Sequence, residues 1–300
     1  MKAEGKVRMR VGLVGLGHVG SLMREWFSGH ADLVEYDVAT HAVYPESQLR
    51  TCDFAVVAVG TPAREDGSCD TTQVQQAVAR LPVKRVLLRS TVPPGTTEEM
   101  CRQTGKQICF VPEYVGETSF SELWSGADAH VPFMIFGGEP ETRHYFIEQL
   151  LPILGPNKVL FQCASSEAEL IKYMENAYFA TKVAFVNEFF EISRHFDIDW
   201  NTVREGWLLD PRVERDHTAV FPNARGFSGR CLPKDLSAAI RFAVDAGWRP
   251  QLLEAVDQSN RMHRAGTAAD APGGPDPRVR LDAGDTRRSS RVAQPTKPNA

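Results

Sequence analysis

Three glycines near the N-terminus constrain the fold of this chain more than any other feature. Gly15, Gly17 and Gly20 form a GxGxxG pattern between a short apolar run at 8–15 and a segment of helical character at 19–28. At a strand-to-helix turn this spacing allows a tight bend, and it lets the helix N-terminus meet a pyrophosphate through its backbone N–H groups. The pattern therefore predicts a βαβ unit that binds a dinucleotide.

A second predicted strand at 33–36 ends at Asp37, about 20 residues beyond the glycines, where dinucleotide-binding folds place an acid. A carboxylate at this place accepts hydrogen bonds from the adenosine ribose hydroxyls and repels a 2′-phosphate. The sequence therefore predicts NAD rather than NADP as the cofactor. The residues of this segment predicted to contact it are Gly15, Gly17, His18, Val19, Gly20 and Asp37.

Strands and helices continue to alternate after Asp37, which predicts an α/β fold with a Rossmann-like, doubly wound parallel sheet. Strands are expected at 54–59, 85–89, 107–111, 133–136 and 158–161, and helices at 71–80 (with Asp70 as its N-cap), 96–104 and about 141–151. Ligands bind at the carboxyl ends of the strands in such sheets. The predicted cofactor site therefore also includes Gly60, Thr61, Pro62, Thr91 and Glu113.

The pattern changes after Cys163. Residues 165–196 contain neither proline nor glycine and carry apolar side chains at helical spacing, which predicts one long helix with Ser166 as its cap. Shorter helices are expected at 200–209, 236–246 and 251–263. The predicted domains are a Rossmann domain at 1–164, an all-helical central domain at 165–263 and a disordered tail at 264–300. The many apolar positions of the long helix predict a homodimer.

Charge and cysteine spacing exclude several classes of partner. A net charge of −4 gives no reason to expect nucleic acid or an anionic membrane surface. No apolar run approaches the length of a membrane span. The six cysteines are dispersed without a CxxC pair, which argues against both zinc and a disulfide framework. We therefore expect a cytoplasmic chain that binds a small-molecule substrate and no metal.

One cysteine differs from the others in its surroundings. Cys231 ends a glycine-containing loop that starts at Gly226, and Lys234 and Asp235 follow closely. Glycine lets a backbone approach a ligand, and a neighbouring cation favours the thiolate over the thiol. Arg230 adds a second positive charge that is suited to an anionic substrate. Cys231 is therefore a candidate nucleophile.

Six motifs, in order along the chain, resemble the UDP-glucose/GDP-mannose dehydrogenase family. They are GLGHVG at 15–20, VGTP at 59–62, STVP at 90–93, VPEYVGE at 111–117, ELIKYMEN at 169–176 and GFSGRCLPKD at 226–235. The resemblance covers nearly all of 11–263. Members of this family oxidise a primary alcohol to a carboxylate with two NAD, and the resemblance implies the same activity here.

The resemblance also implies the role of each catalytic residue. Cys231 matches the catalytic nucleophile, and Lys172 with Asn176 matches the pair that stabilises the oxyanion. The i, i+4 spacing of that pair places both side chains on one helical face, as two donors to one oxygen require. Asp235 and Thr91 match residues that position the catalytic water.

Other residues are assigned by the same resemblance. Glu117 matches a glutamate implicated in thioester hydrolysis, and Glu113 is expected beside the cofactor. Arg212 resembles an arginine that reaches the substrate of the neighbouring subunit. The predicted substrate-binding residues are Glu117, Lys172, Asn176, Arg212, Gly226 and Arg230.

The sequence departs from the family pattern at three places. The segment 37–51 is shorter than in the family, and Phe227-Ser228-Gly229 stands where Phe-Gly-Gly is usual. After 263 we expect no counterpart of the family's further α/β domain, which grips the nucleotide of the substrate. The predicted substrate is therefore a nucleotide sugar, or a smaller nucleotide or sugar phosphate.

Two alternatives stay open beside a four-electron oxidation through a cysteine thiohemiacetal and thioester. A two-electron 3-hydroxyacid dehydrogenase shares a Rossmann domain, a helical domain and a helix lysine, although the cysteine loop argues against it. The other alternative is a non-catalytic, NAD-binding dimeric subunit. The presence of Cys231, Lys172, Asn176 and Asp235 together argues against this second alternative.

Overall fold

The computed structural model describes residues 8–114 and 131–265, and within them one seven-stranded sheet has the order β2-β1-β3-β4-β5-β6-β7. Its strands are β1 (Met9–Val14), β2 (Ala31–Tyr36), β3 (Phe54–Val57), β4 (Arg85–Leu88), β5 (Gln107–Phe110), β6 (Phe133–Gly137) and β7 (Val159–Cys163). Glu117 and all but two residues of the predicted tail lie outside the described residues. The α/β fold class predicted from the alternating pattern is confirmed.

Strand direction differs from the prediction at one end of the sheet. Strands β1 to β5 are parallel, but β6 runs antiparallel to β5, with Phe110 opposite Gly137, and β7 is parallel to β6. The predicted parallel arrangement is therefore found in β1 to β5, whereas β6 and β7 run in the opposite direction. An apolar run has the same composition in either direction, so the sequence pattern cannot distinguish the two.

Nine helices accompany the sheet in the described residues. They are α1 (His18–Phe27), α2 (Glu46–Leu49), α3 (Thr72–Arg80), α4 (Thr96–Thr104), α5 (Pro140–Leu154), α6 (Ser165–His195), α7 (Trp200–Trp207), α8 (Leu232–Asp245) and α9 (Gln251–Ala265). In this part of the chain no helix, α6 included, is both long and apolar enough to cross a bilayer.

Two helix starts and two N-caps differ from the sequence prediction. Helix α8 begins at Leu232 rather than at 236, because proline is tolerated in the first turn of a helix, where its missing N–H is not needed. Helix α6 has Ala164 at its N-cap, where Glu167 accepts the Ala164 N–H at 2.7 Å, so Ser166 is not the cap. Helix α3 has Thr71 rather than Asp70 at its N-cap.

Three of the four hydrophobic clusters in the described residues form most of the core, one on each face of the sheet and a third among the helices. One sheet face packs against α3, α4 and the start of α6, where Ala168 is fully buried. The other face packs against α1 and α5. Further along, α6 packs against α8 and α9 around Phe227 and Leu236. Helix α6 therefore belongs to both parts of the molecule, and a domain boundary at 164 stays a proposal.

Candidate active site

The glycine turn between β1 and α1 has the geometry of an anion cradle. Gly15 has a φ of +92°, and a Cβ on Gly20 would lie 1.9 Å from the Gly15 carbonyl oxygen, so both positions require glycine. Gly17, by contrast, has no atom of the described chain within 4 Å of where its Cβ would lie. Within the described residues no side chain caps α1, which leaves its first N–H groups available to a pyrophosphate.

Asp37 lies directly across this turn. Its Oδ2 accepts the Leu16 N–H at 2.7 Å and its Oδ1 accepts the Ala39 N–H at 2.8 Å. These backbone hydrogen bonds, from Leu16 first and then Ala39, hold the pKa of Asp37 below its ordinary value. The carboxylate is therefore ionised and fixed beside the glycine turn, which fits ribose hydroxyls and disfavours a 2′-phosphate.

The other predicted cofactor residues follow the carboxyl ends of β3, β4 and β5. Because β1 to β5 are parallel, these ends share one edge of the sheet with the glycine turn. The strand order reverses between β1 and β3, which is where such sheets bind their ligands. Thr61 and Glu113 are buried at this edge, Val19 and Thr91 are half-buried, and Gly60, Pro62 and His18 are exposed.

Lys172 of α6 lies in a buried group of charges beside this edge. Its Nζ is 3.2 Å from Glu175 Oε2, 3.8 Å from Glu113 Oε1 and 5.0 Å from the centroid of the Tyr114 ring. Burial alone lowers the pKa of Lys172, but the two carboxylates outweigh it and raise that pKa above its ordinary value. Lys172, which is 5% exposed, is therefore favoured as the ammonium at the cofactor edge.

Two members of this charged group were not identified from the sequence. Burial raises the pKa of Glu175, an effect that the nearby Lys172 opposes. Arg89 is fully buried and donates from Nη1 to the carbonyl oxygens of Val111 at 2.9 Å and Pro112 at 3.2 Å. Burial lowers the pKa of Arg89 to about 10. Arg89 thus fixes the backbone that leads to Glu113. In the sequence, the only sign of this role is that a charged residue ends an apolar strand.

Asn176 connects α6 to the helix that carries the cysteine. Its Nδ2 donates to Asp235 Oδ2 at 2.6 Å, and both side chains are buried. Lys234 donates to Asp235 Oδ1 and also lies 3.4 Å from Thr61 Oγ1 at the end of β3. Sequence reasoning had noted Lys234 only as a neighbouring charge. The structure makes it a link between the two parts of the molecule.

Cys231 is the N-cap of α8 and is half-buried. Its carbonyl oxygen accepts the Asp235 N–H at 2.9 Å, so the two residues share the first turn of the helix. The partial positive charge of a helix N-terminus favours an anion there, thiolate included. Contacts therefore run from Glu113 through Lys172 and along α6 to Asn176, then to Asp235 in the same turn as Cys231.

Glu169 fixes another part of this site, a role that the sequence does not indicate because glutamates are usually exposed. One turn before Lys172, it accepts the N–H of Gly95 at 2.6 Å and both the N–H and hydroxyl of Thr97, at 2.9 and 2.6 Å. Burial raises the pKa of Glu169 to about 7, although these hydrogen bonds oppose the rise. Glu169 thus ties the start of α4, just after Thr91, to α6.

The remaining predicted residues lie apart from this group of contacts. Arg212 pairs with Asp210 at 2.6 Å and is 86% exposed, in a surface cavity that Tyr178 and Phe185 of α6 also line. Arg230 is exposed, and Gly226 begins the cysteine loop with a φ of +72°. The structure of one chain thus leaves the substrate-binding role of these residues as a prediction.

Two family models match this chain. The NAD binding domain of the UDP-glucose/GDP-mannose dehydrogenase family matches residues 30–123, and the central domain of the same family matches residues 166–262. The first match confirms the prediction of NAD as the cofactor.

Curated relatives agree with the family models. UDP-glucose 6-dehydrogenase TuaD of Bacillus subtilis is 30% identical over 254 residues, which cover 79% of this chain and 53% of TuaD. A UDP-glucose 6-dehydrogenase of Pseudomonas aeruginosa is 31% identical over 234 residues, which cover 72% of this chain and 50% of that protein. The chain therefore spans about half the length of the curated relatives it matches.

Solved structures show the same architecture. A UDP-glucose dehydrogenase from Pyrobaculum islandicum has a TM-score of 0.73 at 25% identity, over 87% of this chain and 70% of that one. The 3-hydroxyisobutyrate dehydrogenase of Mycobacterium tuberculosis shares the fold alone, with a TM-score of 0.63 at 16% identity, over 87% of this chain and 96% of that one. Fold, motif order and the two family models agree: this chain belongs to the UDP-glucose/GDP-mannose dehydrogenase family.

Proposed function

We propose that this chain oxidises the primary alcohol of a nucleotide sugar to a carboxylate in two NAD-dependent steps, with Cys231 holding the intermediate. The observation that carries the proposal is the line of contacts from Glu113 through Lys172, Asn176 and Asp235 to the helix turn of Cys231. A cation, an amide and a thiol at the cofactor edge are what a covalent oxidation of an aldehyde needs.

The cofactor is held by the glycine turn at 15–20 and by Asp37, with Thr61, Thr91 and Glu113 at the neighbouring strand ends. NAD would accept a hydride from the substrate carbon in each of the two oxidations, and in the first oxidation the alcohol proton would pass to a water molecule. The ammonium of Lys172 stabilises negative charge on the substrate oxygen, and the Asn176 amide is the second donor to that oxygen. Because its pKa is raised, Lys172 acts as a cation and not as the proton acceptor.

Cys231 captures the aldehyde that the first oxidation produces. Its thiolate forms a C–S bond to the carbonyl carbon, and the resulting oxyanion of the thiohemiacetal faces Lys172 and Asn176. The second oxidation converts the thiohemiacetal to a thioester. Water held by Asp235 and Thr91, with Glu117 assisting, then attacks the carbonyl carbon. The C–S bond breaks, which releases the carboxylate and restores the thiolate.

Substrate recognition involves Gly226 and Arg230 of the cysteine loop and Arg212 of a neighbouring subunit. The relatives described above are named UDP-glucose 6-dehydrogenases, so a nucleotide sugar is the first substrate to test. A smaller nucleotide or a sugar phosphate is the second, because arginine suits a phosphate of either kind.

The proposal is tested by the number of NADH molecules formed per substrate consumed. With UDP-glucose, GDP-mannose and a panel of sugar phosphates and nucleotides, we expect two NADH for each carboxylate formed. One NADH per molecule with a 3-hydroxyacid such as 3-hydroxyisobutyrate would instead favour the two-electron alternative, whose fold this chain shares. NAD binding without turnover of any substrate would favour a non-catalytic subunit.

We further propose that the protein is a homodimer formed through α6. An apolar stripe on this helix is 45–74% exposed and consists of Met174, Tyr178, Phe185, Phe189 and Ile192. Its spacing of three, four and seven residues follows one face of the helix over about 27 Å. In a two-fold symmetric dimer, the same surface of both copies forms the interface. One continuous apolar face of this length can pair with itself in this way. Arg212 lies beside this stripe, where a neighbouring subunit would be.

Aspartate at both Tyr178 and Phe185 is expected to convert the dimer into a monomer, because the change buries charge in an apolar interface. Light scattering coupled to size-exclusion chromatography measures the mass. The control is Leu252→Asp on α9, which replaces an even more exposed apolar residue away from the stripe and should leave the mass unchanged. A monomeric unmodified protein would contradict the proposal.

A further inference from the structure

The loop that carries Cys231 is paired with one side chain of α9. Asn260, which is 5% exposed, accepts the Phe227 N–H on Oδ1 at 2.7 Å and donates from Nδ2 to the Phe227 carbonyl oxygen at 3.1 Å. A side chain that satisfies both backbone groups of one residue must offer a donor and an acceptor side by side, as a primary amide does. Asn260 thus forms with Phe227 the pair of hydrogen bonds that the backbone of a neighbouring strand would form in a sheet.

The backbone approaches Asn260 so closely that the preceding residue must be glycine. A Cβ on Gly226 would lie 2.3 Å from Asn260 Oδ1, and the φ of Gly226 is +72°. Phe227 itself is 3% exposed and packs in the third core cluster with Leu236 and Val256. The loop is therefore held by backbone pairing and by side-chain packing at the same residue.

A second asparagine holds the other side of the loop. Asn187 Oδ1 accepts the Arg225 Nε–H at 2.6 Å and the Gly226 N–H at 3.2 Å. Asn187 lies on α6, three turns beyond Asn176. The loop is therefore attached to the same helix that carries the residues proposed to stabilise the oxyanion. The loop thus enters the site between α6 and α9.

We infer that Asn260 is a positioning residue, which places the Cys231 thiol against the substrate carbon by fixing Phe227. Only 228–230 separate the fixed residue from the cysteine, and Gly229 within them has a φ of +88°. A glycine-containing loop of this kind keeps the thiol in place only while its anchored end is fixed. Loss of Asn260 would also leave the Phe227 N–H and C=O buried without these partners, so the loop would move to satisfy them.

The catalytic part of this inference rests on the proposed function. In Asn260→Ala we expect kcat for carboxylate formation to fall about 10–100-fold, since small misplacements of a reacting group have effects of this size. The KM for NAD should stay within about twofold, because the hydrogen bonds of Asn260 go to Phe227 of the cysteine loop and not to the glycine turn at 15–20. NADH per substrate should fall from two towards one, with aldehyde released, as capture by Cys231 slows.

A matched variant separates positioning from a general loss of stability. Ser259 is the neighbouring residue on α9, is also buried, and donates its hydrogen bond to Glu188 Oε1 of α6 at 3.0 Å rather than to the loop. Ser259→Ala should therefore lose about as much stability as Asn260→Ala. Its kcat and its yield of two NADH per substrate should stay those of the unmodified protein. Equal loss of turnover in both variants, or normal turnover in Asn260→Ala, would overturn the inference.

Hydrogen exchange tests the anchoring without any reaction. In Asn260→Ala the backbone amides of 225–231 should exchange at least about tenfold faster than in the unmodified protein, and those of Ser259→Ala at the normal rate. Unchanged exchange in Asn260→Ala would refute the anchor. If the unmodified protein makes no carboxylate, the proposed function fails, yet this measurement still decides whether Asn260 fixes the loop.

Discussion

Replacing Cys231 with serine is expected to lower carboxylate formation by at least about 10³-fold, while NAD still binds. A serine hydroxyl at the same helix N-terminus stays protonated at neutral pH, so it does not add to the aldehyde as a thiolate does. The oxyanion pair of Lys172 and Asn176 is unchanged in this variant, so the first oxidation can proceed. Carboxylate measured by mass spectrometry, alongside NADH absorbance, follows both oxidations.

Cys101 provides the matched control for this substitution. It is a half-buried cysteine on α4, remote in sequence from the cysteine loop, and Cys101→Ser should keep turnover within about twofold of the unmodified protein. Carboxylate formed at the normal rate by Cys231→Ser would show that the thioester route is wrong. Aldehyde accumulation in Cys231→Ser alone would show that the thiol is needed only after the first oxidation.

The parts of the fold that follow from local pattern could be predicted from the sequence. The limits of α4, 96–104, agree at both ends, since glycine flanks it on each side. The glycine turn and Asp37 were placed correctly because a strand, a turn and a helix in succession determine that geometry. The sequence predicts Cys231 in a loop, because glycines precede it and the next helix is expected only from 236. The structure instead places Cys231 at the start of a helix.

What the sequence could not show depends on contacts between distant residues. Glu169 caps a helix 72 positions away, and Lys234 reaches Thr61 across 173 positions. No local pattern distinguishes such a buried glutamate or lysine from a solvated one, because the partners come together only when the chain folds. The same limit applies to Asn260, which an amphipathic reading of α9 treats as one polar residue among several.

Helix α6 relates these distant contacts to one another. Along one side it presents Glu169 to the start of α4, Lys172 to the end of β5, Asn176 to α8 and Asn187 to the cysteine loop. A continuous helix is stiff, so the spacing of these residues sets the distances between the elements they hold. The helix thereby sets the separation between the cofactor edge of the sheet and the thiol.

Lys172→Met is expected to lower the free energy of unfolding by about 3 kcal/mol at pH 8, because it leaves the buried carboxylate of Glu113 and the half-buried one of Glu175 without their cation. The difference in free energy of unfolding between Lys172→Met and the unmodified protein should become smaller as the pH falls to 5. Burial already raises the pKa of Glu175, and removal of Lys172 takes away the charge that opposes this rise. A carboxyl whose pKa is higher in the folded than in the unfolded chain binds protons more tightly when folded. Its contribution to stability therefore falls as the pH rises through the interval between the pKa of the unfolded chain and that of the folded chain.

Urea unfolding at pH 5 and pH 8 measures this difference, and Lys106→Met is the control. Lys106 is half-buried, and its Nζ donates to the carbonyl oxygens of Leu81 and Val83 rather than to a carboxylate. The loss of stability in Lys106→Met should therefore be equal at both pH values. Adding Glu175→Gln to Lys172→Met should restore part of the stability at pH 8, since one uncompensated charge is removed. An equal deficit for Lys172→Met at both pH values, or no recovery in the double variant, would show that Lys172 does not stabilise the charged form of these carboxylates.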